Sequence, residues 1–134
     1  MQVPDCRYRI SIKALILDKD KRFLLVQEDT GLWELPGGGL EFGEAPQEWL
    51  KREIQEEMGI PVVHVAATPS YSRYENEKRK ANVIYQAQLK HLEFTSSAEC
   101  VALRFFSAEE ARKEITLYPN VAKFIDLYAT EQIK

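Results

Sequence analysis

The chain has 134 residues, of which 45% are hydrophobic and 29% are charged, and this composition is too apolar for a disordered protein. Its formal net charge of −3 argues against a strongly basic protein that coats DNA or RNA, so we expect no nucleic acid polymer as a partner. One domain usually has about 100–200 residues, and residues 1–134 are therefore predicted to form a single domain.

The first half of the chain predicts three strands and a helix. A polar turn at 18–21 separates the first two strands, which predicts a hairpin. A proline and three glycines then interrupt regular structure before a segment of good helix formers. Pro46 suits the first turn of that helix, and Gly59 suits its end. In chain order, these elements are strands at 8–17, 23–27 and 33–35 and a helix at 46–58.

The second half predicts further strands, a charged loop at 73–80 and a final helix. Ser107 and Glu110 have the spacing of a capping box, which indicates a helix start. From Pro119 onward, apolar residues recur on one face, as they do in a packed helix. Strands interleaved with helices indicate a layered α/β or α+β domain. The remaining predicted strands are at 62–67, 81–89 and 101–106.

The cysteines and the apolar segments favour a cytoplasmic protein. Cys6 and Cys100 match neither a disulfide framework nor a paired metal pattern, and we interpret them as reduced thiols. The first residues lack the basic and apolar regions of a signal peptide. No apolar run approaches the roughly 18 residues that a membrane-spanning helix needs. We therefore expect a cytoplasmic location without membrane contact.

Three carboxylates share one face of the predicted helix at 46–58. Glu53, Glu56 and Glu57 are spaced i, i+3 and i+4. Like charges at these spacings repel by about 0.2–0.5 kcal/mol per pair, and the helix dipole disfavours anions near the C-terminus. A divalent cation would reverse this repulsion, and such oxygen ligands suit Mg²⁺ or Mn²⁺. Taken alone, the triplet is also compatible with a charged helix face that is turned to solvent.

The segment that contains this triplet resembles the signature of the MutT/Nudix hydrolases, with every spacing kept. The resemblance implies an α/β/α sandwich with a mixed β-sheet between helices. It also implies hydrolysis of a phosphoanhydride bond in a nucleoside diphosphate linked to another group, with Mg²⁺, or alternatively Mn²⁺, as cofactor. The matching positions within 38–60 are Gly38, Glu44, Arg52, Glu53, Ile54, Glu56, Glu57, Gly59 and Ile60.

The same resemblance implies a set of metal ligands. Glu56 and Glu57 are predicted to be the principal ligands, with Glu53 as either a third ligand or the general base. The carbonyl of Gly37 is a further predicted ligand, because glycines let the backbone approach a metal or a phosphate closely. Gly38 is expected to lie against the substrate.

The resemblance also implies roles for residues that surround these ligands. Arg52 and Glu44 are predicted to form a pair that orients Glu53, and direct phosphate binding by Arg52 is the alternative. Glu99 precedes the last predicted strand, where many relatives place another acidic ligand or the base. An ordinary exposed glutamate is the alternative interpretation of Glu99.

Residues outside the signature are expected to select the substrate. Aromatic and basic residues in and beside the charged loop would stack a base and neutralise phosphates, unless the loop is a solvated hairpin tip. These residues are Tyr71, Arg73, Tyr74, Lys78, Arg79 and Lys80, of which Arg73, Tyr74 and Arg79 are the predicted substrate-binding residues. Asn120 resembles a base-reading asparagine of the oxidised-purine triphosphatase branch, and a helix-start residue is its alternative role. Many relatives carry arginine near the end of the second strand, where this chain has glutamine and glutamate at 27–28.

These observations lead to one functional prediction and two alternatives. We predict hydrolysis of small nucleotides, most simply by a (d)NTP pyrophosphohydrolase. A dinucleoside polyphosphate hydrolase is one alternative, and a catalytically weak nucleotide-sensing module is the other. The resemblance also makes a homodimer an expected assembly, because dimers are common among relatives.

Overall fold

Two β-sheets and three α-helices make up the described residues, 7–113 and 116–133, of this computed structural model. The helices are α1 (Pro46–Met58), α2 (Ala108–Arg112) and α3 (Pro119–Ile133). The strands are β1 (Arg9–Leu15), β2 (Phe23–Gln27), β3 (Trp33–Glu34), β4 (Gly37–Gly39), β5 (Val62–Val65), β6 (Tyr71–Glu75), β7 (Lys80–Leu89) and β8 (Ala102–Phe106). The larger sheet has the order β4-β1-β7-β5 with β6 beside β7, and the smaller has the order β3-β2-β8. Because β1 pairs with β7 in parallel and with β4 antiparallel, the larger sheet is mixed.

The central strands bury side chains on both faces, and this alternation creates two apolar cores. Ile12 of β1 and Leu24 of β2 belong to the core that contains the buried residues of α1. Leu15 and Leu25 lie on the opposite faces of the same strands and pack with α3. Helices therefore cover both sides of the sheets, which confirms the predicted α/β/α sandwich.

Helix α1 has the bounds that the sequence predicts. Gly59 closes it with φ 68°, and its N–H donates a hydrogen bond to the carbonyl of Gln55. Trp49, Leu50 and Ile54 are buried and fix the helix against the sheet. This anchoring determines where the carboxylates on the neighbouring face of α1 lie.

The predicted hairpin of the first two strands is wrong beyond its turn. Asp18 organises that turn by accepting hydrogen bonds from the N–H groups of Asp20 and Arg22. Only an isolated bridge between Leu17 and Phe23 then joins the two strands. The two strands then pair with different partners, β1 in the larger sheet and β2 in the smaller one. Each strand is thereby covered on both of its apolar faces.

The predicted charged loop at 73–80 is instead mostly a hairpin. Its first residues form β6, which pairs antiparallel with β7, and the turn itself is a short 3₁₀ segment, Asn76–Lys78. Along β6 half-buried residues alternate with exposed ones, which is the period of a strand with one covered face. The sequence does not show the usual alternation of apolar and polar residues here, because the residues of β6 are mostly charged or aromatic.

None of the helices within residues 7–113 and 116–133 combines the length and the apolar character that crossing a membrane requires.

The predicted capping box at the start of α2 is confirmed. Ser107 Oγ accepts a hydrogen bond from the N–H of Glu110 at 3.1 Å, and the Glu110 carboxylate accepts one from the N–H of Ser107 at 2.9 Å. We expect Ser107→Ala to lower the free energy of unfolding by about 1 kcal/mol. Urea unfolding checks this, with exposed Ser70→Ala as the matched control, and an equal effect of both substitutions would contradict it.

The same box gives a pH dependence. Hydrogen bonds from Ser107 lower the pKa of Glu110 in the folded protein. Between the lowered pKa of the folded protein and the ordinary glutamate pKa, the unfolded chain therefore binds more protons than the folded one. The contribution of the box is fully present above the ordinary glutamate pKa and is lost as pH falls through the lowered one. The stability difference between the wild type and Glu110→Gln, measured by urea unfolding, should shrink on acidification through that range, because the variant has no titrating carboxylate in the box.

Candidate active site

Three carboxylates meet at the wall of a cavity. Glu53 and Glu57 project from α1, and Glu99 projects from the loop that precedes β8. One oxygen of each carboxylate lies within 4.8 Å of the other two. Glu57 is buried, with 5% of its surface exposed, whereas Glu53 is half-buried and Glu99 is exposed. We call these three residues the carboxylate cluster.

The charges of the cluster are costly in the absence of a cation. Burial, and then the nearby charges of Glu53 and Glu99, raise the pKa of Glu57 to about 9 against the opposing effect of Lys13. Burial is also the main cause that raises the pKa of Glu53, followed by the charges of Glu56 and Glu99. A hard divalent cation would relieve both effects, and three convergent carboxylates are a donor set that suits Mg²⁺ or Mn²⁺. The residues present therefore fit the metal that the sequence implies.

Hydrogen bonds tie the Glu99 loop to the end of α1. Ser97 Oγ donates to the carbonyl of Glu57 at 2.7 Å. The backbones of Ser97 and Cys100 bond each other in both directions, and the N–H of Val101 donates to the carbonyl of Gln27. These contacts hold the loop between the end of α1 and the end of β2. They bring Glu99 beside the α1 acids although it is distant from them in the sequence.

Glu56 and Arg52 lie beside the cluster rather than in it. Arg52 binds Glu44 through two nitrogens, at 2.8 and 3.2 Å, so the predicted pair of these two residues is present. A third nitrogen, Nη1, donates to Glu56 at 2.7 Å, and the Glu56 side chain is 56% exposed. The guanidinium therefore holds Glu56, whereas the sequence predicted that it would orient Glu53. The structure brings Glu53 and Glu57 together with Glu99, and Glu56 lines a neighbouring hollow with Glu53 and Glu99.

The glycines of β4 allow the backbone to approach both β1 and the cluster. Gly37 has φ +126°, and a Cβ there would lie 2.1 Å from the carbonyl oxygen of Ile12. The Gly37 backbone donates a hydrogen bond to Glu57, and its carbonyl accepts one from Lys13 at 3.4 Å. A Cβ at Gly38 would contact a carboxylate oxygen of Glu53 at 3.4 Å. Both predicted glycines thus border the carboxylates.

The cavity has a volume of about 450 Å³ and carries a strong excess of acid. Of the described residues that line it, six are glutamates and three are lysines. A polyphosphate would be repelled by this wall unless cations neutralised it. The predicted site residues that line the cavity are Gly37, Gly38, Glu53, Glu57, Glu99 and Asn120.

The cavity lining does not include Arg73, Tyr74 or Arg79, which the sequence predicted as substrate-binding residues. Tyr74 is 66% exposed and makes an edge-to-face contact with Tyr8 at 6.0 Å. Arg79 occupies a left-handed turn position with φ 49°. Because successive residues of a strand point to opposite faces, Tyr74 turns away from Glu75, which does line the cavity.

The lining residues that the sequence interpretation missed include Lys13, Glu34 and Tyr118. Lys13 and Glu34 are buried charges in short apolar segments, and that was the signal available in the sequence. Glu34 Oε1 accepts hydrogen bonds from the N–H of Leu35 at 2.9 Å and from the amide of Asn120 at 3.1 Å. Tyr118 donates to Glu28, which lies in another wall of the cavity, and no local pattern indicated this contact.

Comparisons with known proteins agree with this geometry. A family model described as NUDIX domain matches residues 7–128. An RNA pyrophosphohydrolase of Nitratiruptor sp. is 33% identical over 86 residues, which cover 59% of this chain and 56% of that protein. An 8-oxo-dGTP diphosphatase of Proteus vulgaris is 43% identical over 54 residues, which cover 37% of this chain and 48% of that protein.

A solved structure extends the likeness to nearly the whole chain. The MutT protein of Methanosarcina mazei Go1 superimposes with a TM-score of 0.73 at 24% identity, covering 98% of this chain and 100% of that one, which shows the fold. The chain spans about half the length, or less, of the curated relatives it matches. Because the family model covers residues 7–128 and the fold agrees with it, the chain belongs to the NUDIX domain family.

Proposed function

We propose that this chain is a metal-dependent pyrophosphohydrolase that cleaves a phosphoanhydride bond of nucleoside triphosphates, (d)NTPs. The observation that carries the proposal is the carboxylate cluster, whose three oxygens lie within 4.8 Å of one another at the wall of the cavity. The names of the two matched relatives, an RNA pyrophosphohydrolase and an 8-oxo-dGTP diphosphatase, support the same class of reaction.

The cluster residues would hold the metal, with the carbonyl of Gly37 as a further ligand. When it is bound, Mg²⁺, or Mn²⁺ in its place, supplies charge stabilisation for the phosphoryl oxygens and lowers the pKa of a bound water. Glu57 is the buried ligand, fixed by α1 and by its hydrogen bond from Gly37. Glu53 and Glu99 are more exposed, and either is placed to accept the proton of an attacking water. Glu56, whose Oε1 accepts a hydrogen bond from Arg52, would join them through its other oxygen.

Asn120 and Glu34 give the cavity its polar wall for the nucleoside. Because the Asn120 amide nitrogen donates to Glu34, this hydrogen bond fixes the orientation of the side chain. A base in the cavity would meet the carbonyl oxygen of that amide while its phosphates meet the carboxylate cluster. A cavity of about 450 Å³ lies within the usual range for small-molecule sites.

A screen that resolves products tests the proposal. The panel contains normal and oxidised (d)NTPs, dinucleoside polyphosphates and an RNA oligonucleotide with a 5′-triphosphate, each with Mg²⁺, with Mn²⁺ or with EDTA. We expect a nucleoside monophosphate and pyrophosphate from a free triphosphate, and no product in EDTA. Anion-exchange chromatography of the products measures both.

The other arms of the screen separate the alternatives. Preferred cleavage of a dinucleoside polyphosphate would replace the (d)NTP proposal with the first alternative. Preferred cleavage of the RNA would contradict the prediction of a small-molecule substrate. Calorimetric binding of a nucleotide without product under any metal condition would indicate the sensing module.

A further inference from the structure

Lys13 is a buried lysine of the cavity wall that the proposed mechanism does not use. Its side chain is 8% exposed, and it lies on β1 directly opposite Gly37 of β4. Its ammonium is 3.4 Å from the carbonyl oxygen of Gly37 and 3.8 Å from a carboxylate oxygen of Glu34. Hydrogen bonds between an ammonium and an anionic oxygen are normally about 2.7–2.9 Å long. The ammonium thus has one long hydrogen bond, to Gly37, and no close ion pair among these neighbours.

Neither neighbour is free to approach Lys13. Glu34 is held by the two hydrogen bonds that its other oxygen accepts, from Leu35 and Asn120. Gly37 is held by the pairing of β4 with β1. A buried ammonium without a close partner is costly to fold, so a structure that maintains this gap indicates a ligand oxygen that fills it.

The chemistry of Lys13 itself indicates the kind of ligand, because an ammonium only donates hydrogen bonds and therefore needs an acceptor oxygen. Lys13 interacts electrostatically with Glu57 of the carboxylate cluster. A divalent cation held by the cluster would offset two of the three negative charges of Glu53, Glu57 and Glu99. An anionic acceptor can approach Lys13 more closely once these charges are offset. Phosphoryl oxygens are the anionic groups that accompany such a cation in a nucleotide.

We propose that Lys13 binds a phosphoryl oxygen of the substrate's polyphosphate group and is a substrate-positioning residue. The proposal rests on the proposed function, because it requires a polyphosphate in this cavity. Lys13 then has two opposite effects. It repels a free metal ion from the carboxylate cluster, and it attracts the phosphate that follows the ion.

These opposite signs make the test specific. Isothermal titration calorimetry measures the binding of Mg²⁺ alone, and of imidodiphosphate in saturating Mg²⁺, to the wild type and to Lys13→Met. The probe has no base and a bridge that resists hydrolysis. We expect imidodiphosphate to bind the variant about 10- to 100-fold more weakly, and Mg²⁺ alone to bind it at least as tightly as the wild type. Lys90→Met, the same charge change at an exposed position outside the cavity lining, should alter neither affinity.

Each other outcome counts against the proposal. Equal binding of imidodiphosphate by the wild type and Lys13→Met would overturn the role of Lys13 and leave the proposed function intact. Weaker binding of both ligands would indicate general damage to the site and overturn the role as well. A wild type that does not bind imidodiphosphate with Mg²⁺ would overturn the phosphate site at Lys13, and the product screen would decide the proposed function separately. If Lys13→Met does not fold, Lys13→Met/Glu34→Gln removes both buried charges together, and the same two titrations decide.

Discussion

Glu57→Gln should lower kcat/KM with Mg²⁺ by at least about 100-fold, whereas the metal-free variant should be no less stable than the wild type. The two expectations have one cause. Glu57 is buried beside Glu53 and Glu99, and because its pKa is raised to about 9 the metal-free side chain is neutral near pH 7. A neutral amide of the same shape therefore removes no stabilising charge from the metal-free protein. The same change removes an anionic ligand from the predicted metal site. A metal site contributes several kcal/mol to catalysis, and 100-fold corresponds to about 2.7 kcal/mol.

Thermal unfolding separates the loss of metal from the loss of fold. In EDTA the variant should unfold at the wild-type temperature or above it. Saturating Mg²⁺ should stabilise the wild type, by about 2.7 kcal/mol at 100 times the dissociation constant, and should leave the variant unchanged. The matched control is Glu48→Gln, an exposed glutamate of the same helix that pairs with Lys51. Wild-type turnover in Glu57→Gln would show that Glu57 does not have the assigned role.

The features that local sequence determines were predictable. Helix α1 begins with a proline and ends with Gly59, and its buried face is set by residues within a few turns of each other. The capping box of Ser107 depends on residues three positions apart. The spacing of Glu53, Glu56 and Glu57 also predicted that these residues share one broad face of α1. These interactions join residues that are near each other in the sequence, so they can be predicted from the sequence alone.

Helical spacing was insufficient to choose between the carboxylates. Glu53, Glu56 and Glu57 do share a broad face of α1, but Glu56 lies one turn after Arg52 and forms an ion pair with it. Glu99, which a long connection returns to the end of α1, joins Glu53 and Glu57 as the third member of the carboxylate cluster. Helix periodicity predicts which face of a helix a side chain lies on, but not which neighbour it contacts. The partners that the rest of the fold supplies then decide which of them converge.

The other walls of the cavity depend on contacts that no local pattern displays. The N–H of Trp33 donates to the carbonyl of Thr116, and the N–H of Tyr118 donates to the carbonyl of Trp33. This pairing brings the start of α3 against β3 and places Asn120 over Glu34. The sequence shows an asparagine at the start of a helix, but its partner Glu34 lies 86 positions earlier in the chain. Such contacts follow from the packing of the two sheets.

Gly37→Ala is expected to destabilise the fold more than any other glycine substitution with a comparable backbone angle. At φ +126° a side chain strains the backbone, at a cost of about 1–3 kcal/mol. The added Cβ would also lie 2.1 Å from the carbonyl oxygen of Ile12, and because both atoms belong to paired strands, no side-chain rotation relieves the contact. We expect β4 to move from β1, at a further cost of about 1–3 kcal/mol.

Gly31→Ala isolates the second contribution. Gly31 also has a positive φ, +91°, but a Cβ there would meet nothing within 4 Å, so this control carries the conformational strain without the clash. Urea unfolding should therefore give a larger loss for Gly37→Ala than for Gly31→Ala, and equal losses would contradict the close approach of β4 to β1. Displacement of β4 also removes the backbone hydrogen bond to Glu57 and the carbonyl beside Lys13. Turnover should consequently fall in Gly37→Ala even at temperatures where the protein remains folded, because the glycine sets the distance between the carboxylate cluster and the strand that carries Lys13.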